Sequence, residues 1–255
     1  MIYGLYLSAT GIVTNLHQQD VIANNLANIE TQGFRRQLVS FMERQPEGMM
    51  SHPRAGGDPF FDLIGGGQLI APSRFDYSQG ALENTGNPLD VAMSGDGFFE
   101  VESPNGRHLT RSGSFMLNAN GDLVMSNDNA TKILDADGRA INFGQGVSED
   151  DIEINQMGQV AVRGIPTAKL STVVVDDKKN LKPTGDSLLK PTDNAAITQS
   201  EVKLMPGFLE RSNVEPATEL TRMMSAQRQL EANANMLKYQ DQSLQRLVNE
   251  VGKIG

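Results

Sequence analysis

The C-terminal stretch "LTRMMSAQRQLEANANMLKYQDQSLQRLVNEV", residues 220–251, carries apolar residues at alternating steps of three and four. A second row, which begins at Leu220, includes the polar residues Gln227 and Asp241. A narrow apolar stripe with polar members is typical of a coiled coil rather than of a helix buried in a globule. We predict a long helix that begins after Pro216, because proline is tolerated in a first helical turn. Its assembly residues repeat every seven positions and are Met223, Leu230, Leu237, Leu244 and Val251.

The N-terminus carries a similar stripe, with one polar interruption at Gln19. Spacing alone fits a helix packed on a globular core equally well, but the matching C-terminal stripe favours pairing of the two ends. An isolated pair of this length is marginally stable, so we expect copies of the same protein to bury the remaining surface. The small or apolar residues of the stripe are Ile2, Leu5, Ala9, Ile12, Leu16, Ala23 and Leu26, of which Leu5, Ile12, Leu16 and Leu26 are the predicted assembly residues.

The first helix ends in "NNLANIETQGFRR", residues 24–36. Asn28 and Gly33 can adopt left-handed backbone angles, and Phe34 can anchor the turning chain on apolar neighbours. An ordinary helix stop would explain the glycine but not the density of asparagine. We expect the asparagine side chains to bind exposed backbone or adjacent subunits. The predicted turn site comprises Asn24, Asn25, Leu26, Ala27, Asn28, Thr31, Gly33 and Phe34.

The middle of the chain has the pattern of short strands and tight turns. Asn105-Gly106 is a strong hairpin signal within residues 98–117. Residues 115–125 and 152–162 each read as strand, Asn-x-x-Gly turn, strand, and they align at an offset of 37 positions. Residues 169–176 predict another strand. Turns that recur every 8 to 12 residues predict an antiparallel, barrel-like or sandwich-like domain.

These patterns predict an α+β protein in which the terminal helices pair as a coiled-coil stalk and an all-β domain is inserted between them. Residues 42–73 are rich in glycine and proline and have little periodicity, which favours a connector. The predicted boundaries are 1–34 and 213–255 for the helical domain, 35–75 and 202–212 for the extended connector, and 76–201 for the β domain.

Composition limits the possible functions. The 255 residues carry a net charge of -9, which disfavours nucleic acid or an anionic membrane as the main partner. Cysteine is absent, so disulfides and thiolate chemistry are excluded. No apolar run approaches the roughly 20 residues of a membrane-spanning helix, and we expect no direct membrane insertion. The N-terminus lacks a basic segment, and we interpret it as mature structure rather than a cleaved signal.

No motif for catalysis was found in the sequence. The three histidines, His17, His52 and His108, show no metal-ligand spacing. A calcium loop counted from Asn118 would need glutamate where Asn129 stands. Nucleotide-binding and nucleophile-elbow motifs are also missing. We therefore expect no catalytic residue, no metal, no cofactor and no enzymatic activity.

Three sequence blocks resemble the axial proteins of the bacterial flagellum, the rod and hook family. "LANIETQGF" (26–34) resembles the N-terminal signature of that family. "GFLERSNVEPATELTRMMSAQRQLEANANML" (207–237) is similar to the start of its C-terminal helix. "TGNPLDVAMSGDGFFEV" (85–101), followed by "LTRSGSFMLNANGDLV" (109–124), resembles the start of its β domain. The matching positions there are Asn87, Pro88, Leu89, Asp90, Gly95, Gly97, Phe98 and Phe99.

The resemblance implies a structural subunit of the basal-body rod, which polymerises into a helical tube and transmits torque from motor to hook. It implies an inner layer of paired terminal helices with the β domain outside. Expected partners are copies of the chain, other rod proteins and the hook, the flagellar type III export apparatus, and periplasmic and outer-membrane ring proteins. The expected location is the rod that spans the periplasm, reached by export without a cleaved signal peptide.

The sequence departs from the family pattern at some positions. Leu109 stands where tyrosine is common, and Leu230 where an aromatic residue is common. The stretch after Phe41 lacks an Asp-Leu-Leu-Tyr-type segment that we associate with distal-rod proteins, which slightly favours the proximal-rod type. The distal-rod type stays open, because "TGNPLDVAMSGDGFF" (85–99) fits distal-rod proteins equally well. The alternatives are a flagellar hook or hook-cap-like axial protein, a scaffold bound to the rod, and a non-flagellar β-rich binding protein or hydrolase. The last would require a pocket of convergent polar groups.

Overall fold

The chain consists of two compact units that differ in secondary structure. The computed structural model describes residues 2–44 and 67–251. The class is α+β, with one helix near each end of the chain and strands between them, as predicted. The helical unit comprises Met1–Ala27, Gln37–Phe75 and Glu215–Gly255, and the β unit comprises Asn28–Arg36 and Asp76–Val214.

Two long helices form most of the helical unit. Helix α1 spans Ile2–Ala27 (26 residues) and helix α2 spans Pro216–Val251 (36 residues). The second begins at the predicted proline, and Glu219 in its first turn suits the positive end of the helix dipole. The two helices lie side by side. Within the described part of the chain, no helix is both long and apolar enough to cross a membrane.

Two short antiparallel ribbons complete the described part of the helical unit. One ribbon contacts α1 at Thr14, whose Oγ1 lies 3.4 Å from Oε1 of Gln68, and the other contacts it through hydrogen bonds between Asn25 and the Gln37 backbone. The predicted connector over residues 35–75 therefore contains strands, and its residues 45–66 lie outside the described residues. Strand β1 (Gln37–Leu38) pairs with β4 (Arg74–Phe75), and β2 (Phe41–Glu43) pairs with β3 (Gln68–Ile70).

The β unit is built from short strands that all pair in an antiparallel manner where the structure describes them. Two short 3-10 helices, at Glu149–Asp151 and Lys178–Asn180, lie between strands. The strands are β5 (Leu82–Asn84), β6 (Val91–Ser94), β7 (Phe98–Ser103), β8 (Gly106–Thr110), β9 (Phe115–Leu117), β10 (Leu123–Met125), β11 (Asp128–Ile133), β12 (Ile152–Ile154), β13 (Gln159–Val162), β14 (Ile165–Lys169), β15 (Thr172–Val175), β16 (Leu181–Gly185), β17 (Leu188–Pro191), β18 (Ile197–Gln199), β19 (Lys203–Pro206) and β20 (Phe208–Glu210).

These strands form one large sheet and several small ones. The large sheet has nine strands, with the order β16-β17-β8-β7-β11-β10-β9, and β15 joins it through pairs with β7 and β18. Strands β12, β13 and β14 form a three-stranded sheet. The predicted hairpins are present, with the first turn one position earlier than predicted, because Ser103 pairs with Gly106 and the turn residues are Pro104 and Asn105. The Asn-x-x-Gly turns join β9 to β10 and β12 to β13, as predicted.

The core of the β unit lies on both faces of β7, because successive strand residues point to opposite faces. Phe99 is fully buried in a cluster that includes Phe115, and their rings meet edge to face at 5.2 Å between centroids. Its neighbour Phe98 belongs to a second cluster with Leu109 and Val173. Both faces of the sheet are thus covered, which explains why Phe98 and Phe99 can be adjacent and both buried.

The segment predicted as a connector over residues 202–212 differs from that expectation. It contains two strands of the β unit, β19 paired with β6 and β20 paired with β5. The sequence "VKLMPGFLE" lacks a regular alternation because Pro206 and Gly207 interrupt it, and Gly207 takes a positive φ of 77° between the two strands. A bend between two short strands therefore resembles a structureless linker in sequence.

Candidate assembly site

Three contacts, separated by seven and then by fourteen residues on each helix, define the interface between α1 and α2. A Cβ atom added to Gly4 would lie 2.7 Å from Nε2 of Gln240, and one added to Gly11 would lie 2.7 Å from Nδ2 of Asn233. Nδ2 of Asn25 donates to Oε2 of Glu219 at 3.3 Å. As residue numbers rise on α1 they fall on α2, so the helices are antiparallel. We call these three pairs, Gly4–Gln240, Gly11–Asn233 and Asn25–Glu219, the ladder.

The ladder follows a seven-residue repeat on both helices. Between its second and third pairs, the same register places Gln18 opposite Ala226, which is fully buried. Glycine lacks a Cβ, so the amide groups of Gln240 and Asn233 can lie directly against the α1 backbone. The ladder itself therefore consists of small and polar residues rather than of leucines.

Asn25 forms three hydrogen bonds at this interface. It is buried, and besides Glu219 its amide nitrogen donates to the carbonyl of Gln37 at 2.9 Å. Its Oδ1 accepts from the Gln37 backbone N–H at 2.9 Å. An amide side chain offers two donors and one acceptor oxygen, so these three bonds use both donors. The expected role of Asn25 in bonding exposed backbone is thus met within its own chain, and its donors are not available to an adjacent subunit.

The predicted assembly residues of α1 lie next to the ladder rather than on it. Leu5, Ile12 and Leu26 are each one position after a ladder residue and are half-buried. Leu16 is 46% exposed. The prediction followed apolar residues only and so missed the glycine and asparagine positions that contact α2. Whether these leucines contact other copies stays a prediction.

On α2 the predicted row of seven-residue repeats is less exposed than its surroundings. Met223, Leu230, Leu237 and Leu244 are all half-buried, whereas the side chain of Val251 lies outside the described residues. In the alternating row predicted from Leu220 onward only Ala234 is half-buried, whereas the residues one position earlier are all buried or half-buried: Glu219, Ala226, Asn233 and Gln240.

Both helices expose large apolar side chains. On α1 these are Tyr6, Val13 and Leu16, with 39%, 58% and 46% exposure. Soluble proteins expose single apolar residues routinely, and here several occur along each of two adjacent helices. On α2 the exposed apolar residues are Leu220, Met224, Met236, Tyr239, Leu247 and Val248.

The turn after α1 depends on Gly33, as predicted. Its φ is +67°, and an added Cβ would lie 2.5 Å from the backbone nitrogen of Ser112. Its N–H donates to the carbonyl of Glu210 at 2.9 Å. Both the left-handed angle and the close backbone approach require glycine at this position.

The remaining turn residues have local roles. Asn28 does not have a positive φ, so that expectation was wrong. Its Oδ1 instead accepts from the Thr31 hydroxyl at 3.1 Å, which supports the turn from within. Phe34 is half-buried, whereas Asn24 and Ala27 are exposed. Short polar side chains stabilise such turns without needing left-handed angles.

A buried cluster of charges holds the end of the turn in the β unit. Nη2 of Arg35 lies 2.7 Å from Oε1 of Glu210, and Nε of Arg111 lies 3.6 Å from Oε2 of the same carboxylate. The Arg35 guanidinium also donates to the carbonyl of Ser78 at 2.9 Å, and Arg111 donates to the carbonyl of Gly95. Burial lowers the pKa of Arg111, and the Glu210 charge opposes this effect. The sequence alone did not indicate this cluster.

The eight residues predicted at the start of the β domain have different environments. Leu89, Phe98 and Phe99 are in the core, and Asp90 is buried and accepts from the Ser114 hydroxyl at 3.3 Å. Asn87 and Pro88 are exposed in the turn before them. Gly95 and Gly97 take positive φ angles of 102° and 153° between β6 and β7. These residues support folding of the β unit and form no single site.

Comparisons with known proteins agree with this arrangement. Family models match in three places: "Flagella basal body rod protein" over residues 5–35, "Flagellar hook protein FlgE/F/G D1 domain" over 92–162, and "Flagellar basal body rod FlgEFG protein C-terminal" over 205–250. The flagellar basal-body rod protein FlgG of Buchnera aphidicola subsp. Baizongia pistaciae is 32% identical, over 97% of this chain and 99% of that protein. The chain belongs to the flagellar basal-body rod protein family.

Other relatives of this rod protein carry two names. FlgG of Bacillus subtilis is 29% identical over 98% of this chain and 99% of that protein. FlgF of Caulobacter vibrioides is 29% identical over 98% of each chain. Because the two names occur at equal identity, the proximal-rod assignment stays a prediction.

Family membership decides between the functional classes considered above. The relatives are structural proteins of the basal body, so this rod protein is a structural flagellar protein and not an enzyme. The interpretation as a non-flagellar hydrolase or binding protein is therefore wrong.

Proposed function

We propose that this rod protein polymerises into a helical tube that transmits torque from the flagellar motor to the hook. The observation that carries the proposal is the relationship to rod proteins over nearly the whole chain. A shaft needs many identical contacts between copies, and a heterologous contact that does not close on itself generates a helical filament.

The helical unit is the proposed source of those contacts. In this proposal α1 and α2 act as a coiled-coil stalk, and their exposed apolar residues are buried by neighbouring copies. The 58% exposed Val13 and the 68% exposed Tyr239 support it, because burying such side chains releases about 25 cal/mol per Å² of apolar surface. The predicted assembly leucines lie beside these residues on the same helices.

The proposal also covers the domains of the chain, its partners and its position in the rod. The domains are the helical unit, which acts as the stalk, and the β unit, which includes β19 and β20. The partners are other rod proteins, the hook, the type III export apparatus and the ring proteins of the periplasm and outer membrane. The position is the proximal part of the rod that spans the periplasm, reached without a cleaved signal peptide.

Electron cryomicroscopy of isolated basal bodies tests the proposal directly. The expected result is regular helical copies of this chain within the rod, with α1 and α2 at the contacts between copies. A few copies bound at one end of the rod would instead indicate a cap or scaffold protein. Absence of the chain from purified basal bodies would reject a rod function.

A further inference from the structure

The strand pair β1–β4 continues one position beyond its ends. Its register, in which Gln37 lies opposite Phe75, places Arg36 opposite Asp76. Gln37 directs both of its backbone groups away from β4, toward the side chain of Asn25. Because hydrogen-bonded and non-hydrogen-bonded pairs alternate in antiparallel strands, Arg36 and Asp76 should exchange two backbone bonds. One of them is present, from the Asp76 N–H to the Arg36 carbonyl at 2.9 Å.

The side chain of Asn213 stands in for the second bond. Its Oδ1 accepts the Arg36 N–H at 2.8 Å, and its Nδ2 donates to the Asp76 carbonyl at 2.9 Å. The amide is therefore inserted between the two backbone groups that would complete the pair. Nδ2 carries a second hydrogen, and both the carbonyl oxygen and Oγ of Ser78 lie 3.1 Å from it. One side chain thus bonds to two distant segments of the chain.

These bonds lie at the boundaries of the β unit, whose segments end at Arg36, begin again at Asp76 and end finally at Val214. Arg36 continues directly into β1, and Asp76 follows directly on β4. Asn213 precedes Val214, after which the chain enters α2. The inserted amide therefore connects the chain that leads into α2 with both chains of the β1–β4 pair.

A second set of bonds joins the same segments around Glu210. Its side chain bonds to Arg35 and to the Gly80 N–H, and its carbonyl accepts the Gly33 N–H. Glu210 is 2% exposed, whereas Asn213 is half-buried. The two sets use different atoms, so removing the Asn213 amide leaves the Glu210 bonds in place. A pair of two-residue strands is marginal by itself, so its last position depends on the side chain inserted there.

We propose that the Asn213 amide fastens the chain that leads into α2 to the two chains of the β1–β4 pair, so that the three leave the β unit as one bundle. Both ends of the amide are needed, the oxygen for Arg36 and the nitrogen for Asp76. This fastening is a property of the single chain, whereas its use in carrying torque rests on the function proposed above.

Hydrogen exchange of the Arg36 amide, followed by NMR on the purified chain, measures the fastening directly. In the Asn213→Ala variant this N–H loses its acceptor, and its exchange should become at least about tenfold faster. The N–H groups of Gly33 and Gly80 should keep their rates, because they bond to Glu210. Asn194→Ala removes an exposed amide of the β unit, and as the matched control it should change none of the three rates.

A thiol at position 214 reports whether the chain before α2 is released. Val214 is 6% exposed, and the chain has no cysteine of its own. Val214→Cys chains with and without Asn213→Ala are treated with a maleimide under native conditions. Modification should be at least about tenfold faster with the substitution, because the thiol stays buried only while its segment is held in place. Near-ultraviolet circular dichroism measures whether the β unit remains folded.

Asn213→Asp separates the two ends of the amide. The carboxylate keeps an oxygen for the Arg36 N–H but has no donor for the carbonyls of Asp76 and Ser78. In the Val214→Cys chain this substitution should also accelerate modification by the maleimide. The variant keeps the size of the original side chain, so it leaves no cavity that could account for the change.

Four results would overturn the proposal. Unchanged exchange at Arg36 in Asn213→Ala would mean that the strand pair closes by a direct bond. Unchanged modification at position 214 would mean that other contacts hold the chain before α2. An Asn213→Asp chain modified at the starting rate would mean that the amide donors do not contribute. Faster exchange at Gly33 and Gly80 would mean that the two sets of bonds are not separate. None of these results depends on polymerisation, so these measurements and the cryomicroscopy can fail independently.

Discussion

Glu210 and Arg35 form a buried ion pair, with 2.7 Å between Oε1 and Nη2 and side-chain exposures of 1% and 4%. The same carboxylate oxygen accepts the backbone N–H of Gly80 at 2.9 Å. Arg111 provides a second buried guanidinium beside it. One carboxylate thus compensates two buried cations in the β unit, where the turn after α1 meets strand β20.

Glu210→Ala should destabilise the β unit by about 3–5 kcal/mol, because both arginines would be left buried without a counter-charge. Urea unfolding followed by circular dichroism measures this loss. Glu83→Ala is the matched control, since Glu83 pairs with Arg211 at 3.5 Å with both side chains about half exposed. Its expected effect is about 0–1 kcal/mol. Equal effects of the two substitutions would contradict the role given to the cluster.

Gly33→Ala should cost more than about 3 kcal/mol, because the left-handed angle and the approach to the Ser112 backbone both oppose a side chain. Gly86→Ala separates these two effects. Gly86 has a similar φ of +72° but open space around the position of a Cβ, so only the backbone cost of about 1–2 kcal/mol is expected. Thermal unfolding of both variants provides the comparison, and a Gly33→Ala loss no larger than that of Gly86→Ala would rule out the clash.

Asp122 should make the β unit sensitive to acid. Hydrogen bonds from Asn142 and Lys132 hold the pKa of its carboxyl below the ordinary value, against the opposing effect of burial. A lowered folded-state pKa stabilises the protein above the unfolded value of about 3.9, and this stability is lost as pH falls through the folded value.

The Asp122→Asn substitution tests that dependence. At pH 7 it should cost about 1.5–3 kcal/mol, the range for hydrogen bonds to charged groups. The difference from the unsubstituted chain should shrink as the pH falls below the unfolded value of about 3.9 toward the lower folded-state pKa. Asp193→Asn, at an exposed position, serves as the control and should change stability little at either pH. A difference that stays constant with pH would show that the charge of Asp122 is not responsible.

Leu237→Asp should prevent rod assembly while the β unit remains folded. Leu237 is half-buried on α2, and a carboxylate there disfavours packing of the helices. Motility and electron microscopy of basal bodies measure assembly, and near-ultraviolet circular dichroism of the purified chain measures folding of the β unit. Lys238→Asp, one position further and exposed, is the control and should assemble. Normal rods and swimming with Leu237→Asp would refute the assignment of Leu237 to assembly.

Local signals explain which parts of the fold could be predicted from sequence. Asn105-Gly106 specifies a hairpin through its own backbone preferences, so the turn could be read without knowing the partner strands. Pro216 likewise marks the start of α2. Such features depend on a few adjacent residues, and the structure confirms them.

The contacts of the candidate assembly site were harder to predict from the sequence. They join residues that are far apart in the chain and that belong to no recognisable motif. The apolar periodicity located both helices but not the face by which they pack, since Gly4, Gly11 and Asn25 carry no apolar signal. The Arg35–Glu210–Arg111 cluster joins three positions that nothing in the sequence connects. A seven-residue repeat of small and polar residues on both helices was the one signal that could have revealed the ladder.

The hydrogen bond from Gly33 to Glu210 has a consequence for how the chain is made. Ribosomes synthesise the N-terminal turn early, but its acceptor lies on β20, close to the other end of the chain. A product that ends before residue 210 has neither the acceptor for Gly33 nor the counter-charge for Arg35, and it also lacks α2. The turn can therefore form only after β20 has been synthesised, and chains terminated before residue 210 cannot form it.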